Sequence, residues 1–441
     1  MTNESLHPRR RLWPRSLAGK AGVIGLFAAL LLVAVYIAAL RFSSQRLADA
    51  WKLSEEYGLP NDFVALLGPN VPPERNMSIP LDRAASIALR FENQERAKLK
   101  QPDDNFEESP AFLAATDALL DDGKYESALA EADRLPEYRS PVVVTESLFN
   151  IMLGYLQTRR DLVRVERAMA RRLLAKGKRE EAIRRMLRIT RLTRRWEEKE
   201  PFLIGALVNI AIRNVAMEEL NLLLRGGGPM PASLHDEIDR EMAECETILR
   251  TIPTIAQTEK IASATDYDNF SPLGKTPLLK PLADNDRAYM IHYLHRWVKT
   301  SNKSSFEAKE ELDALETDIK RIAGDPLGRI MHLGAVMMVP AVSKAREAFD
   351  RLIAKARCLR ILNAMVRRKD FKTPLESFGL PKECLVDPFD GKPLRVKQTA
   401  EGVIVYSVGP DLKDDGGQFV VGAGKGWDVG LEPPKPPAKK K

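Results

Sequence analysis

AGVIGLFAALLLVAVYIAAL, Ala21 to Leu40, runs for twenty residues without a charge. At about 1.5 Å per residue a helix of that length spans about 30 Å, the thickness of a hydrocarbon core. A lone segment can satisfy its own backbone there only as a helix. Lys20 and Arg41 close the stretch on either side. It divides the chain into a basic stub (1–20), a transmembrane anchor (21–40) and the residues that follow.

The flanks orient it. Arg9, Arg10, Arg11, Arg15 and Lys20 precede the span, against Glu4 alone. The positive-inside rule then leaves the stub in the cytoplasm and the bulk outside it, as a single-pass protein of a bacterial inner membrane. Trp13 and Tyr36 fall where interfacial aromatics belong. The apolar run exceeds the ~7–15 residues of a signal-peptide core, which favours a retained anchor, although Ala38 and Ala39 leave room for cleavage.

Of the net charge of +7, the stub and the closing Lys439, Lys440 and Lys441 account for the whole excess. The body is near balance, so the basic balance points to lipid headgroups near the stub and away from nucleic acid. Cys245, Cys358 and Cys384 are widely spaced and form no disulfide framework. They read as small buried residues, with one disulfide as the alternative.

Outward from the anchor, residues 41–108 read as a juxtamembrane helix and linker. Ser44 to Tyr57 continues the helix until Gly58 and Pro60. Asn61 to Pro80, with Pro69, Pro72 and Pro73, reads as irregular. Leu81 to Lys100 reads as a polar helix, lying against solvent or another helix. Ser109 followed by Pro110 is a helix start, a capping hydroxyl before a first-turn proline.

Residues 109–330 form a helical body. Within it, LLDDGKYESALAEADRL from Leu119 and LLAKGKREEAIRRMLRI from Leu173 share L-L-x-x-G-K-x-E-x-A, 54 residues apart. This predicts a helix end, a glycine turn and a second helix, with Ala128 and Ala182 allowing close packing. The pattern resembles the junction of a tetratricopeptide repeat at Gly123, Tyr125 and Ala128, and again at Gly177 and Ala182, with Arg179 in place of the tyrosine. That family stacks helical hairpins and binds peptides or proteins, which implies an irregular solenoid-like body with a protein partner. Arg184, Arg185, Arg188, Arg191, Arg194 and Arg195, followed by Glu197, Glu198 and Glu200, read as a solvated, salt-bridged face, or as a surface for an acidic partner.

Pro201 to Leu224 is apolar enough to suggest a second span, but Arg213 makes a buried soluble helix cheaper. Arg225 to Pro231 reads as a hinge and Ser263 to Asp286 as a polar loop. Ala232–Leu249, Asp286–Trp297, Ser305–Ile322 and Ala335–Arg368 read as further helices, the last with a kink at Pro340.

Residues 331–429 read as a small α+β module, and 430–441 as a flexible Pro/Lys tail. Leu394–Lys397 and Val403–Val408 are predicted strands, with Gln418–Val421 a third, covered by the preceding helix. Asp387, Pro388, Gly391, Pro393, Tyr406, Ser407, Gly409 and Asp411 resemble the C-terminal part of type II secretion major pseudopilins. The ending also resembles those of membrane-anchored proteins from planctomycete-like bacteria, a group with no settled activity. The pseudopilin likeness implies a long helix on a small antiparallel sheet and a Gly/Asp-rich loop that takes calcium. Asp411, Asp414 and Asp415 are the candidate ligands, hard oxygens in a turn. The likeness covers roughly residues 371–417, and the hydrophobic stretch lacks the pilin glutamate.

No metal-binding His pair with a glutamate, phosphate loop or nucleophile elbow appears in the sequence. The expectation is a mainly α, non-enzymatic envelope protein with an interaction role. The alternatives are an accessory of a secretion or pilus-like system, and an enzyme whose site no motif betrays.

Overall fold

A computed structural model describes residues 17–56, 58–99, 106–142, 154–265, 267, 271–419 and 428–433. Helix α1, Leu17–Glu55, is one uninterrupted rod. Its first half exposes Phe27, Leu31 and Leu32. Among the described residues it is the one helix long and apolar enough to cross a membrane. Its second half turns amphipathic and packs Leu47, Ala50 and Trp51 against Ala288 and Ile291. Gly58, at φ 62°, ends the run.

A short helix α2, Phe63–Leu66, breaks the linker, capped by Asp62, which accepts the Ala65 N–H at 2.8 Å. Helix α3, Ser78–Ala97, takes the second of its two expected settings and packs on other helices: Leu81, Ala84, Ala85 and Ala88 are fully buried. Its small residues admit the neighbouring helices closely, which propensity alone does not reveal. Helix α4, Pro110–Asp121, starts where the sequence predicts, with Ser109 Oγ accepting the Phe112 N–H at 3.2 Å. Helices α5, Lys124–Arg134, α6, Gly154–Ala175, and α7, Arg179–Glu197, follow. α6 lies along α7, whereas α5 packs mainly on α3 and α4 mainly on α6. The two sequence copies therefore sit in different surroundings, and a regular solenoid is not what the packing describes.

Helix α8, Leu203–Arg225, is the apolar segment that could pass for a second span. It is a core helix, held by α6, α7 and the long helix near the C-terminus, and Arg213 pairs inside with Glu197. Helices α9, Ala232–Cys245, and α10, Ile252–Thr265, lead into the expected loop. That loop is shorter than predicted. It holds a short helix α11, Pro272–Lys275, and a 3₁₀ turn, Pro277–Leu279, and helix α12 begins at Lys280 and runs to Val298. Pro281 falls in its first turn, where the missing N–H costs nothing. Helices α13, Lys309–Gly324, and α14, Pro326–Met331, precede α15, Leu333–Arg368, which carries Pro340 and closes on Lys369 at φ 55°.

The C-terminal sheet is antiparallel in the order β1, Arg395–Thr399, β2, Gly402–Ser407, and β3, Val429–Gly430. Arg395 faces Tyr406 and Tyr406 faces Gly430. α15 covers the sheet as expected. The third strand differs: Gln418 and Phe419 are coil, residues 420–421 lie outside the described residues, and Val429–Gly430 fills the edge. Nor does the structure loosen at residue 430, for Leu431 is buried and Asn221 Nδ2 donates to the Glu432 carbonyl at 2.6 Å.

Candidate interaction groove and polar core

The two junctions share one backbone solution. Gly123 and Gly177 sit at φ 66° and 76°, the left-handed region that a Cβ disfavours. Ala128 and Ala182 are both buried as the helices close up. The side chains around the turns differ. Tyr125 is fully buried and donates to Glu166 at 2.6 Å. Arg185 reaches the same carboxylate at 2.6 Å and also pairs with Glu126, which Arg188 holds at 3.0 Å. Burial, with the Glu166 charge, pushes the Tyr125 phenol well above its usual range. Burial opposes ionisation of Glu126, yet Arg185 and Arg188 together hold it below its usual value. At the position equivalent to Tyr125, Arg179 donates to the Leu223 and Leu224 carbonyls, each at 2.6 Å, and so closes the C-terminus of α8.

The arginine run of α7 is therefore not a solvated face. Arg185 is almost buried, Arg191 binds Asp133 at 2.8 Å on α5, and Arg195 donates to the Asp133 carbonyl at 3.0 Å. These pairs cross between helices, which a single-helix reading cannot foresee. Beside the second junction they line a groove of about 580 Å³, with Lys176, Lys178, Arg184, Arg185, Arg188 and Arg191 against Asp121, Glu181 and Glu237. Lys178 and Arg184 are half-exposed, and their pairs with Glu181 and Glu237 are 3.1 and 3.4 Å long. Exposed pairs of this kind contribute about 0–1 kcal/mol, so both cations are free to exchange partners.

A second polar constellation, invisible in the sequence, lies beneath. Arg159 is fully buried, donates to Tyr138 at 2.9 Å and to Asp82 at 3.0 Å, and stacks 4.5 Å from the centre of Trp196. Tyr155 donates to Glu200 at 2.9 Å. Burial lifts the Glu200 carboxyl to about 7 despite the Arg159 charge. Glu197 rises to about 7 for the same reason, against its partner Arg213. A Cβ at Gly205 would overlap the Glu200 side chain, so the glycine is what admits that carboxylate. Only the turn between α7 and α8 brings these groups together.

In the C-terminal module Asp387 is the knot. Its carboxylate accepts from Ser407 Oγ at 2.8 Å, the Phe389 and Val408 N–H groups at 2.9 Å, and Arg395 at 2.6 Å. The three candidate calcium ligands lie in the turn after β2. Asp411 accepts the Lys413 N–H at 3.1 Å, and Asp414 accepts from Tyr406 at 3.0 Å and from the Gly416 N–H at 2.9 Å. Asp415 lies next to them in the same turn, and Asp428 returns to the Gly417 N–H at 2.6 Å. Among the described residues no three His, Cys, Asp or Glu side chains are placed to hold a metal ion.

The remaining candidates resolve simply. Cys245, Cys358 and Cys384 are free and buried, and burial raises all three thiols. His235 Nδ1 meets Asn363 Oδ1 at 2.7 Å. His292 and His295 face the end of α1, and burial lowers both. His332 rests on the Tyr289 ring, 4.9 Å between centres, and 3.9 Å from Asp286. His7 and most of Gly422–Asp428 lie outside the described residues. Comparison with protein-family models, curated proteins and solved structures finds no match for this chain. The residues themselves establish a membrane-anchored, largely helical protein without a recognisable catalytic motif.

Proposed function

We propose that this chain is a membrane-anchored adaptor that holds an acidic segment of a partner protein in the groove beside α7, on the extracytoplasmic side. The observation that carries the reading is the pair of half-exposed cations in that groove, Lys178 and Arg184, beside deeper cations that are already held, Lys176 by Asp117, Arg185 and Arg188 by Glu126, and Arg191 by Asp133. Half-exposed Lys178 and Arg184 can re-pair at little cost, whereas Arg185 is locked in place as a rigid wall. Crosslinking in native membranes tests it. Lys178→Glu with Arg184→Glu removes the partners recovered with the wild-type chain, while folding is unaffected because both side chains are half-exposed. Unchanged recovery rejects the groove as the docking site.

A second reading rests on the C-terminal module. α15 laid over a small antiparallel sheet has the arrangement expected of a pseudopilin head. It supports an accessory role in a type II secretion or pilus-like system. Copurification with secretion components supports this role, and a full-length protein isolated alone from such membranes rejects it.

A further inference from the structure

α1 and α12 run side by side in the same direction. Tyr36 meets residue 277, Ser44 meets Asp284 at 3.2 Å, Arg46 bonds Asn285, and Ala50 packs on Ala288 and Ile291. At the far end Glu56 lies 3.9 Å from His295. The body is thus clamped along the second half of α1, and α1 has no break at the membrane surface. The depth of the span in the bilayer then sets the depth of everything fixed to it.

The first contact in this ladder lies inside the apolar stretch. Tyr36 Oη donates to the Pro277 carbonyl at 2.8 Å. Tyr36 stands five residues before Arg41, about 7–8 Å toward the lipid along the helix axis. Helical side chains lean toward the N-terminus, which takes the hydroxyl no closer to water. The 3₁₀ turn Pro277–Leu279 is therefore level with acyl chains and glycerol backbones. At this turn Leu278 is 70% exposed, a large apolar side chain with no protein cover. Lys275 and Lys280 flank it, both exposed, and Lys280 Nζ also reaches Asp284 at 2.9 Å.

α14 lies at the same end of the body. The residues just after it, Gly334 and Ala335, donate their N–H groups to Asp286 in the first half of α12 at 2.7 and 3.1 Å. α14 exposes Leu327 and Ile330, at 63% and 59%, with Arg329 between them. Scattered apolar residues on a surface need no explanation. Leu278 differs because the Tyr36 contact fixes its height.

We infer that the body rests on the bilayer, with Leu278 among the acyl chains of the leaflet from which α1 emerges and with Lys275, Lys280 and Arg329 at the phospholipid phosphates. Leu327 and Ile330 form the second, shallower point of contact. Apolar tips with snorkelling cations around them are how interfacial elements hold a membrane plane. The contact needs lipid alone and is independent of any partner in the α7 groove.

The test uses the full chain reconstituted in phosphatidylcholine–phosphatidylglycerol vesicles. An environment-sensitive fluorophore is attached at Leu278→Cys, at Leu30→Cys in the span, or at Leu412→Cys in the C-terminal module; the native thiols are buried. Labels at 30 and 278 are expected to shift to the blue and to be quenched several-fold by nitroxide lipids, while the label at 412 behaves as in water. A lipid-embedded label at 30 with an aqueous label at 278 overturns the inference and leaves the anchor intact. An aqueous label at 30 overturns both. Lys275→Glu with Lys280→Glu is expected to weaken quenching at 278 by about half in anionic vesicles and hardly at all in neutral ones; equal quenching in both overturns the role of the cations.

Discussion

The two L-L-x-x-G-K-x-E-x-A junctions share a sequence and a backbone, yet the structure uses them for opposite purposes. In the first, Tyr125 and Glu126 bind inward to Glu166, Arg185 and Arg188, which stitches α5 to α6 and α7. In the second, Arg179 turns to the end of α8, and Glu180 meets only Arg184 on its own helix, 3.7 Å away. A shared motif therefore guarantees the turn and the close approach of two helices. What the pair is welded to depends on a single variable position.

Four measurements break or sharpen that contrast. The largest effect is expected at Glu166. Glu166→Ala leaves the buried Tyr125 hydroxyl without its acceptor and Arg185 with Glu126 alone, at a cost near the lower end of about 3–5 kcal/mol in chemical denaturation. Glu180→Ala removes an exposed pair and changes stability by less than ~0.5 kcal/mol. Comparable losses at both positions erase the distinction.

Next come the variable residues themselves. Arg179→Ala frees two carbonyls at the end of α8 and is expected to cost about 1–3 kcal/mol. Hydrogen exchange localises the loss to the last turn of α8. Tyr125→Phe costs a similar amount but loosens α5 and α6. Protection lost in the same place by both variants contradicts separate roles. The glycines should not discriminate. Gly123→Ala and Gly177→Ala each force a left-handed alanine, at about 1–2 kcal/mol, and neither Cβ meets any atom within 4 Å. Equal shifts in melting temperature are expected.

A separate effect is expected in the pH profile. The Glu200 carboxyl titrates at about 7 in the folded chain, against a usual 4.5. Between those values the unfolded chain has lost its proton while the folded chain keeps it, so stability from this group falls as pH rises through the window. Glu200→Gln makes that part of the profile shallower, and the slope that remains belongs to Glu197, raised to about 7 by the same burial. An unaltered slope between pH 4.5 and 7 shows that Glu200 is not the group concerned.

Much of the architecture was legible in the sequence because it depends on local chemistry. Ser109 caps α4, Gly58 ends α1, Gly123 and Gly177 make left-handed turns, and the strands around Gly402 pair in a hairpin. The misses share one physical cause: they were decided by distant partners. The arginines of α7 read as a solvated, salt-bridged stripe, and they lie deeper than that because most of their acids sit on other helices. β3 could not be read from Val429–Gly430 alone, since two residues carry no periodicity. The groove was half visible as a basic run. The Arg159–Tyr155–Glu200 constellation left no trace, because α6 supplies two of its members and the turn after α7 the third.

The unbroken course of α1 has one more consequence. A helix of 39 residues is a strut of about 58 Å, with no joint where it leaves the lipid. Whatever tilts the lower part must swing the upper part and the body clamped to it through the same angle. A thicker or thinner bilayer changes the tilt of a span at modest cost. The α7 groove is thus carried on a lever whose fulcrum is the membrane, and a change of bilayer thickness reaches it as a rotation.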